Sequence, residues 1–386
     1  MPPLKRSLVF ALALIATGLS PLRAEPGNEV TLDVISSPEH PRNSEGSFAT
    51  LRSGRIVFYY TQFYGGASDY SSARIVEIHS DDQGRTWSQP KPWAEKGKSV
   101  NVMSVSLLRL ASGPLAIFYV IKNSGLDCRP YMRVSNDEGA TWSDPRLVIQ
   151  APGYFVLNND RIIQTRSGRI LVPVAFNRLL RPTEYRPHGG DSRSNDLRGI
   201  ILWYYSDDQG MTWREADSWW ALPVPSAAGL QEPGLVELAD GTLYSWARTD
   251  VGEQFSFRSQ DDGKTWTPPE PTDLKSSCSP ASIKRLPGSS VLLAIYNDHS
   301  GRFPFTVGHD AYAGRTPLIS AFSRDNGRTW TQHKRLESDL QGAFAYTAIH
   351  FVGDSVLLGY SAGKAHGAHL GSLRIRRLSL SWLQAP

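Results

Sequence analysis

The chain has 386 residues, among them 33 glycines, 26 prolines, 11 tryptophans and 2 cysteines. It is too long for a disulfide-stapled miniprotein and too rich in turn residues for a helical bundle, and no stretch beyond the N-terminus reaches the roughly 18 apolar residues of a membrane-spanning helix. The formal charge of +4 includes Lys5, Arg6 and Arg23 of an N-terminal leader; without them it is +1, and in the absence of a basic run this argues against a nucleic-acid partner.

Met1 to Ala24 has the build of a secretory signal peptide: Lys5 and Arg6 precede the apolar run LVFALALIATGL, and the small Ala24 precedes the cut. The expected organisation is therefore a leader over 1–24 and one folded domain over 25–386, secreted or periplasmic. Cys128 and Cys278 fall in non-adjacent units of the repeat described next, so two free buried thiols are expected. No Cys/His cluster has zinc spacing and there is no phosphate-binding glycine loop, so neither metal nor cofactor is expected.

After an extended lead-in (Glu25 to Glu39, with TLDVI as a strand) and a polar loop from His40 to Gly46, the chain becomes repetitive. One octapeptide, S-x-D-x-G-x-T-W, occurs at Ser80, Ser135, Ser206, Ser259 and Ser323, the starts lying 55, 71, 53 and 64 residues apart. That spacing suits a four-stranded propeller blade. In each copy the Asp is placed to accept backbone N–H groups and fix a turn, the Gly supplies a left-handed residue, and Thr and Trp enter the next strand. The EF-hand ligand register is missing, so these acidic turns read as folding staples away from the chemistry rather than as calcium loops. A glycine turn feeds an apolar strand six times, at Gly54, Gly113, Gly168, Gly241, Gly288 and Gly353. Six strand signals and five boxes predict an all-β, six-bladed β-propeller whose last blade lacks a box and uses Arg374, Arg376 and Ser379 in an alternating strand. A polar insertion from Leu179 to Leu197 reads as a loop at the rim of a site.

In a propeller, loops of successive blades converge on one mouth of the central channel. Arg42, Arg248 and Arg315 each stand at the end of an apolar strand, and Arg161 is a fourth candidate. Three converging guanidiniums bind a carboxylate through forked, charge-assisted bonds.

With these residues the chain resembles the sialidase (neuraminidase) family of Asp-box, or BNR-repeat, six-bladed propellers. The resemblance rests on the boxes, on Gln231-Glu232-Pro233-Gly234 followed one strand later by Arg248, on Gly314-Arg315-Thr316-Pro317 running into the last box, and on Ala345-Tyr346-Thr347-Ala348. It implies an exo-acting retaining glycoside hydrolase that releases a terminal sialic acid or related 2-keto acid sugar. It also implies roles: Tyr346 as nucleophile, Glu232 as the base that takes its proton, Asp69 as acid/base, and Arg42, Arg248 and Arg315 as the carboxylate clamp. A neutral tyrosine suits a sugar whose own carboxylate would repel an anionic nucleophile. Asp69 is expected to have a raised pKa, as a general acid needs. Asn101, Met103, Asn159, Asp160 and Arg161 are expected to contact the rest of the sugar. Where the family has Ile-Pro after its first arginine, Arg42 is followed by Asn43-Ser44-Glu45-Gly46, which adds a carboxylate near the pocket. Two other readings of the residues stand beside this one: an Asp-box propeller acting on a different polysaccharide, and a non-catalytic glycan-binding propeller.

Overall fold

The computed structural model describes residues 27–180, 186–188, 191–193, 195–307, 314–364 and 370–385. The leader expected over 1–24 lies outside the described residues. Almost all regular structure is antiparallel strand, with one short helix, Leu380–Gln384, at the C-terminus. All six turn-plus-strand signals become strands: Ile56–Phe63, Leu115–Ser124, Ile170–Leu179, Leu243–Arg248, Leu292–Asn297 and Ser355–Lys364. Ile56–Phe63 is buried along its whole length. A strand covered on both faces reads as a continuous apolar run rather than an alternation, which is why these strands stand out in the sequence.

The fold is all-β and propeller-like, but the sheets are not six separate four-stranded blades. Four sheets have four strands each and one has nine; a two-stranded ribbon, Arg186–His188 with Asp191–Arg193, lies within the polar insertion. The nine-stranded sheet arises because the short strand Tyr154–Val156 pairs in parallel with Asp127–Ser135, at Tyr154 and Cys128, while also pairing with Ile170–Leu179. Hydropathy carries no signal for such a bridge, because it is a backbone contact between two segments that each read as strand. The last sheet is completed by the N-terminus: Asn28–Val34 pairs with Leu373–Ser379 as its outer strand. Arg374 then reaches Asp33 and Glu337, and Arg376 is buried against Tyr360 and Glu337.

Each box follows a strand that ends on the box serine (Ala73–Ser80, Asp127–Ser135, Asn195–Ser206, Glu253–Ser259, Leu318–Ser323). In the first box Ser80 bonds Asp82 and the Gly84 amide, while Asp82 accepts from the Thr86 amide and hydroxyl. The other four repeat this pattern, as in Asp325 with Thr329. The carboxylate thus closes its own turn. Box glycines also face the preceding unit: a Cβ on Gly84 would lie 2.6 Å from Leu357, one on Gly210 2.4 Å from Met132, and one on Gly263 2.7 Å from Leu171. Gly327 faces Tyr244 in the same way. The boxes therefore lock each unit to the one before it, and the first locks to the last sheet, closing the ring. Cys128 and Cys278 are buried and unpaired.

Candidate active site

The innermost strand of several sheets carries one device in common. Arg42–Thr50, Asn101–Arg109, Gln231–Glu237 and Gly342–Val352 are each interrupted by a register shift against the next strand. At each interruption stands a non-glycine residue with left-handed backbone: Glu45 (φ 58°), Ser104 (φ 61°), Glu232 (φ 48°) and Tyr346 (φ 60°). Such bulges re-aim a side chain at a cost of about 1–3 kcal/mol each and recur beside functional sites. All four residues line one cavity, with about 430 Å³ of empty volume, together with Asp69, Met103, Lys122, Tyr154, Asn158 and an apolar wall of Val120, Cys128, Val156 and Leu157.

The Tyr346 hydroxyl donates to Glu232 Oε1 at 3.2 Å. Arg248 Nη1 lies 2.7 Å from Glu232 Oε2 and 3.5 Å from the same hydroxyl, and Arg248 Nη2 donates to Gln231 at 2.9 Å. The Arg315 guanidinium stands over the Tyr346 ring at 5.2 Å; among the described residues it has no carboxylate partner, and its Nε is buried without an acceptor. Burial, and then Glu232, push the Tyr346 pKa up, against the opposing pull of Arg315 and Arg248, so the hydroxyl is neutral at neutral pH.

Arg42 is clamped on both sides. It donates to Asp69 Oδ1 and to Glu45 Oε1, each at 2.5 Å, and its guanidinium lies over Phe63 at 4.4 Å. Ser104 donates to the other oxygen of Glu45. Burial raises the Glu45 pKa against Arg42. The Asp69 side chain keeps 60% of its surface open, yet enough protein surrounds the carboxyl for desolvation to push its pKa up. The charges of Arg42 and Lys122, then the Arg42 hydrogen bond, overcome that push and hold Asp69 well below the ordinary carboxylate range. The expected raised pKa of Asp69 is therefore not found, because its carboxyl is paired with a cation, Arg42.

Of the residues expected to touch the sugar, Met103 lines the cavity, whereas the others are engaged in the framework. Asn101 donates to the carbonyls of Asp69 and Ser71, so it holds the Asp69 loop. Asn159 donates to the carbonyls of Gly46 and Tyr346 and braces the first sheet to the last. Asp160 accepts from Ser47, Lys284 and the Ile349 amide. Arg161 is 3% exposed, with one bond to Ser282 and two unpartnered nitrogens, and burial lowers its pKa to about 10. Sequence reasoning missed Ser104, Lys122, Tyr154 and Asn158. Ser104 has a signal of a kind, since it occupies the inner-strand position that Glu45, Glu232 and Tyr346 occupy elsewhere.

A ring of sheets locked by Asp-boxes, with an inward tyrosine, carboxylates and arginines at its axis, defines the sialidase-type class of propeller. The BNR repeat-like domain family matches residues 98–359, about two thirds of the chain, and the chain belongs to that family. A curated relative, the anhydrosialidase of Macrobdella decora, is 29% identical over 168 residues, 39% of this chain; the match spans only 18% of the relative's length. Among solved structures, the intramolecular trans-sialidase of Ruminococcus gnavus, in complex with oseltamivir carboxylate, superposes with a TM-score of 0.69 at 15% identity over 94% of this chain and 99% of that one. A Hadza microbial sialidase superposes with a TM-score of 0.67 at 18% identity over 89% of this chain and 67% of that one. Likenesses at this level of identity bear on the fold.

Proposed function

We propose that this chain is an exo-acting retaining glycosidase that releases a terminal sialic acid, or a related 2-keto acid sugar, from glycans, and that it acts outside the cytoplasm once its leader is removed. The observation that carries the reading is the hydrogen bond from the Tyr346 hydroxyl to Glu232, made beside Arg248 and with Arg315 over the ring. Counting the nine-stranded sheet as two blades fused at Tyr154 and Cys128 makes the ring six-bladed; the six second strands and the ordered docking of the boxes support that count.

In this reading the substrate carboxylate docks on the arginines, Arg315 first among them because no carboxylate among the described residues forms an ion pair with it. Arg42 then shares its charge with the substrate and loosens its hold on Asp69, whose proton affinity rises as the site fills. Asp69 protonates the leaving oxygen. Tyr346 Oη attacks the anomeric carbon as its proton passes to Glu232, so a neutral group meets the anionic sugar. In the second half Asp69, now a carboxylate, takes a proton from water as that water displaces Tyr346, and Glu232 returns the proton to the phenolate. Two displacements at one carbon give retained configuration.

The test is time-resolved NMR of the sugar released from aryl glycosides of sialic acid and of Kdo-type sugars, run side by side. Retained first product from one of them is expected; inverted first product, or no release from either, would remove the reading. The names of the anhydrosialidase and the trans-sialidase favour a second outcome for the same covalent intermediate, attack by a hydroxyl of the bound sugar itself in place of water. The same spectra distinguish it, since an anhydro sugar appears instead of a reducing one.

A further inference from the structure

The loop that carries Asp69 is exposed and opens on Gly65 and Gly66, both with left-handed backbone (φ 78° and 140°). A carboxylate on such a loop needs an anchor if it is to be held near a reacting atom. Lys122, on the strand Leu115–Ser124 of the next unit, supplies one. Its side chain is buried, and its Nζ donates to the Asp69 backbone carbonyl at 2.6 Å. The same ammonium lies over the ring of Tyr70, the next residue of the loop, at 4.7 Å, and over Tyr154 at 5.6 Å. Tyr70 is tied in turn to Asn195 on the neighbouring sheet segment. Among the described residues Lys122 forms no ion pair with a side-chain carboxylate, although burying an unpaired ammonium costs several kcal/mol. Ring faces and one carbonyl recover part of that cost. An apolar residue there would lie against the rings of Tyr70 and Tyr154 more cheaply, so the charge itself calls for a use.

We infer that Lys122 is a positioning residue for Asp69: it fixes the loop from below through the carbonyl and the Tyr70 ring. The inference rests on Asp69 being the general acid of the proposed reaction. The groups that face the Asp69 carboxyl are Arg42 and Glu45 from the first inner strand, Lys122 and Cys128 from the next unit, Tyr154 from the short strand beyond it, and Arg315 from the segment before the last box. Arg42 holds the side chain, and Lys122 shares the Asp69 carbonyl with Asn101 while also gripping the Tyr70 ring, so removing Lys122 leaves the Arg42 bond possible while loosening the loop that aims it. Loss of one positive charge also moves the Asp69 pKa upward.

The experiment measures kcat and KM against pH for wild type, Lys122→Met, Lys122→Arg and Asp69→Ala on two substrates of one sugar. One is an aryl glycoside whose leaving group needs no proton; the other is an alkyl glycoside whose leaving group does. General acids contribute about 100- to 10,000-fold, and mispositioning forfeits part of that. Lys122→Met is expected to lower kcat on the alkyl glycoside about 30-fold, with a much smaller loss on the aryl one, and to move the basic limb of kcat/KM to higher pH. Lys122→Arg is expected to return that limb toward wild type. If Lys122→Met does not fold, the arginine variant and Lys122→Gln carry the same comparison. Should Asp69→Ala show the leaving-group dependence while no Lys122 variant does, the inference fails and the reaction stands. Should Asp69→Ala show none, Asp69 is not the acid and both fall.

Discussion

Left-handed backbone is used at two radii of this ring, and the uses differ. At the rim each box places two such residues in succession, for example Gln83 (φ 62°) and Gly84 (φ 83°), and the turn's own Ser, Asp and Thr satisfy the backbone that results. Because the turn closes on itself, every copy needs the same residues, and the sequence repeats. At the axis the inner-strand bulges use one left-handed residue each, and what occupies it differs every time: a buried glutamate on Arg42, a serine on that glutamate, a second glutamate on Arg248, and a tyrosine. The same backbone device therefore produces a repeat where its side chain serves the turn and an array of unlike groups where its side chain serves the cavity.

Substitutions at the two radii should separate accordingly. The largest effect belongs to Tyr346→Phe, which keeps the ring under Arg315 but removes the oxygen: kcat should fall about 1,000-fold or more while KM and the melting temperature change little, as steady-state kinetics and thermal melts would show. Arg315→Lys keeps charge and loses the fork; kcat/KM should fall about 30- to 1,000-fold, equivalent to roughly 2–4 kcal/mol of transition-state binding. An unchanged kcat/KM on an acidic sugar would show that no clamp is formed there. At the rim the pattern should reverse. Gly84→Ala meets a positive φ and a Cβ 2.6 Å from Leu357, so denaturant unfolding should show a loss of about 1–2 kcal/mol with kcat/KM within about twofold of wild type.

The smallest effect is a pH-dependent one. Desolvation pushes the Asp82 carboxyl up, but its bonds from Thr86, with those from Ser80 and the Arg85 amide, together outweigh it and hold it down at about 2, and Thr141 does the same for Asp137. A folded-state pKa below the unfolded value of about 4 gives stability that is present above pH 4 and lost as the pH falls through 2. Asp82→Asn should lower the melting temperature by about 2 °C near pH 6, and the difference from wild type should shrink as melts are taken toward pH 2. A difference that stays constant across that range would mean that the charge of Asp82 does not hold its turn.

The rim was fully legible because it repeats: five boxes and six turn-plus-strand signals are local patterns, and each lands on the element they predict. The axis was legible only through residues with a local frame, such as Glu232 before Pro233-Gly234 or Arg315 before the last box. Lys122 had none: it follows an apolar run as many surface lysines do, and only the approach of the next unit's strand to the Asp69 loop gives it a task. Asn159 and Asp160 misled for the opposite reason, since a polar cluster between apolar strands marks a channel, and only the packing shows that theirs is braced by Tyr346, Ser47 and Lys284. The low proton affinity of Asp69 was hidden because Arg42 lies on another strand and its choice of partners depends on Glu45.

In the proposed reaction Tyr346 is the attacking group, and a trapped covalent intermediate would carry the sugar on it. A fluorinated 2-keto acid sugar with a good leaving group slows the second displacement more than the first, and peptide mapping by mass spectrometry locates the covalent adduct. The prediction is one sugar per chain, on the peptide containing Tyr346, absent from Tyr346→Phe and discharged by excess acceptor. An adduct on Glu45, Asp69 or Glu232, or turnover of the reagent with no adduct under any quench, would contradict it.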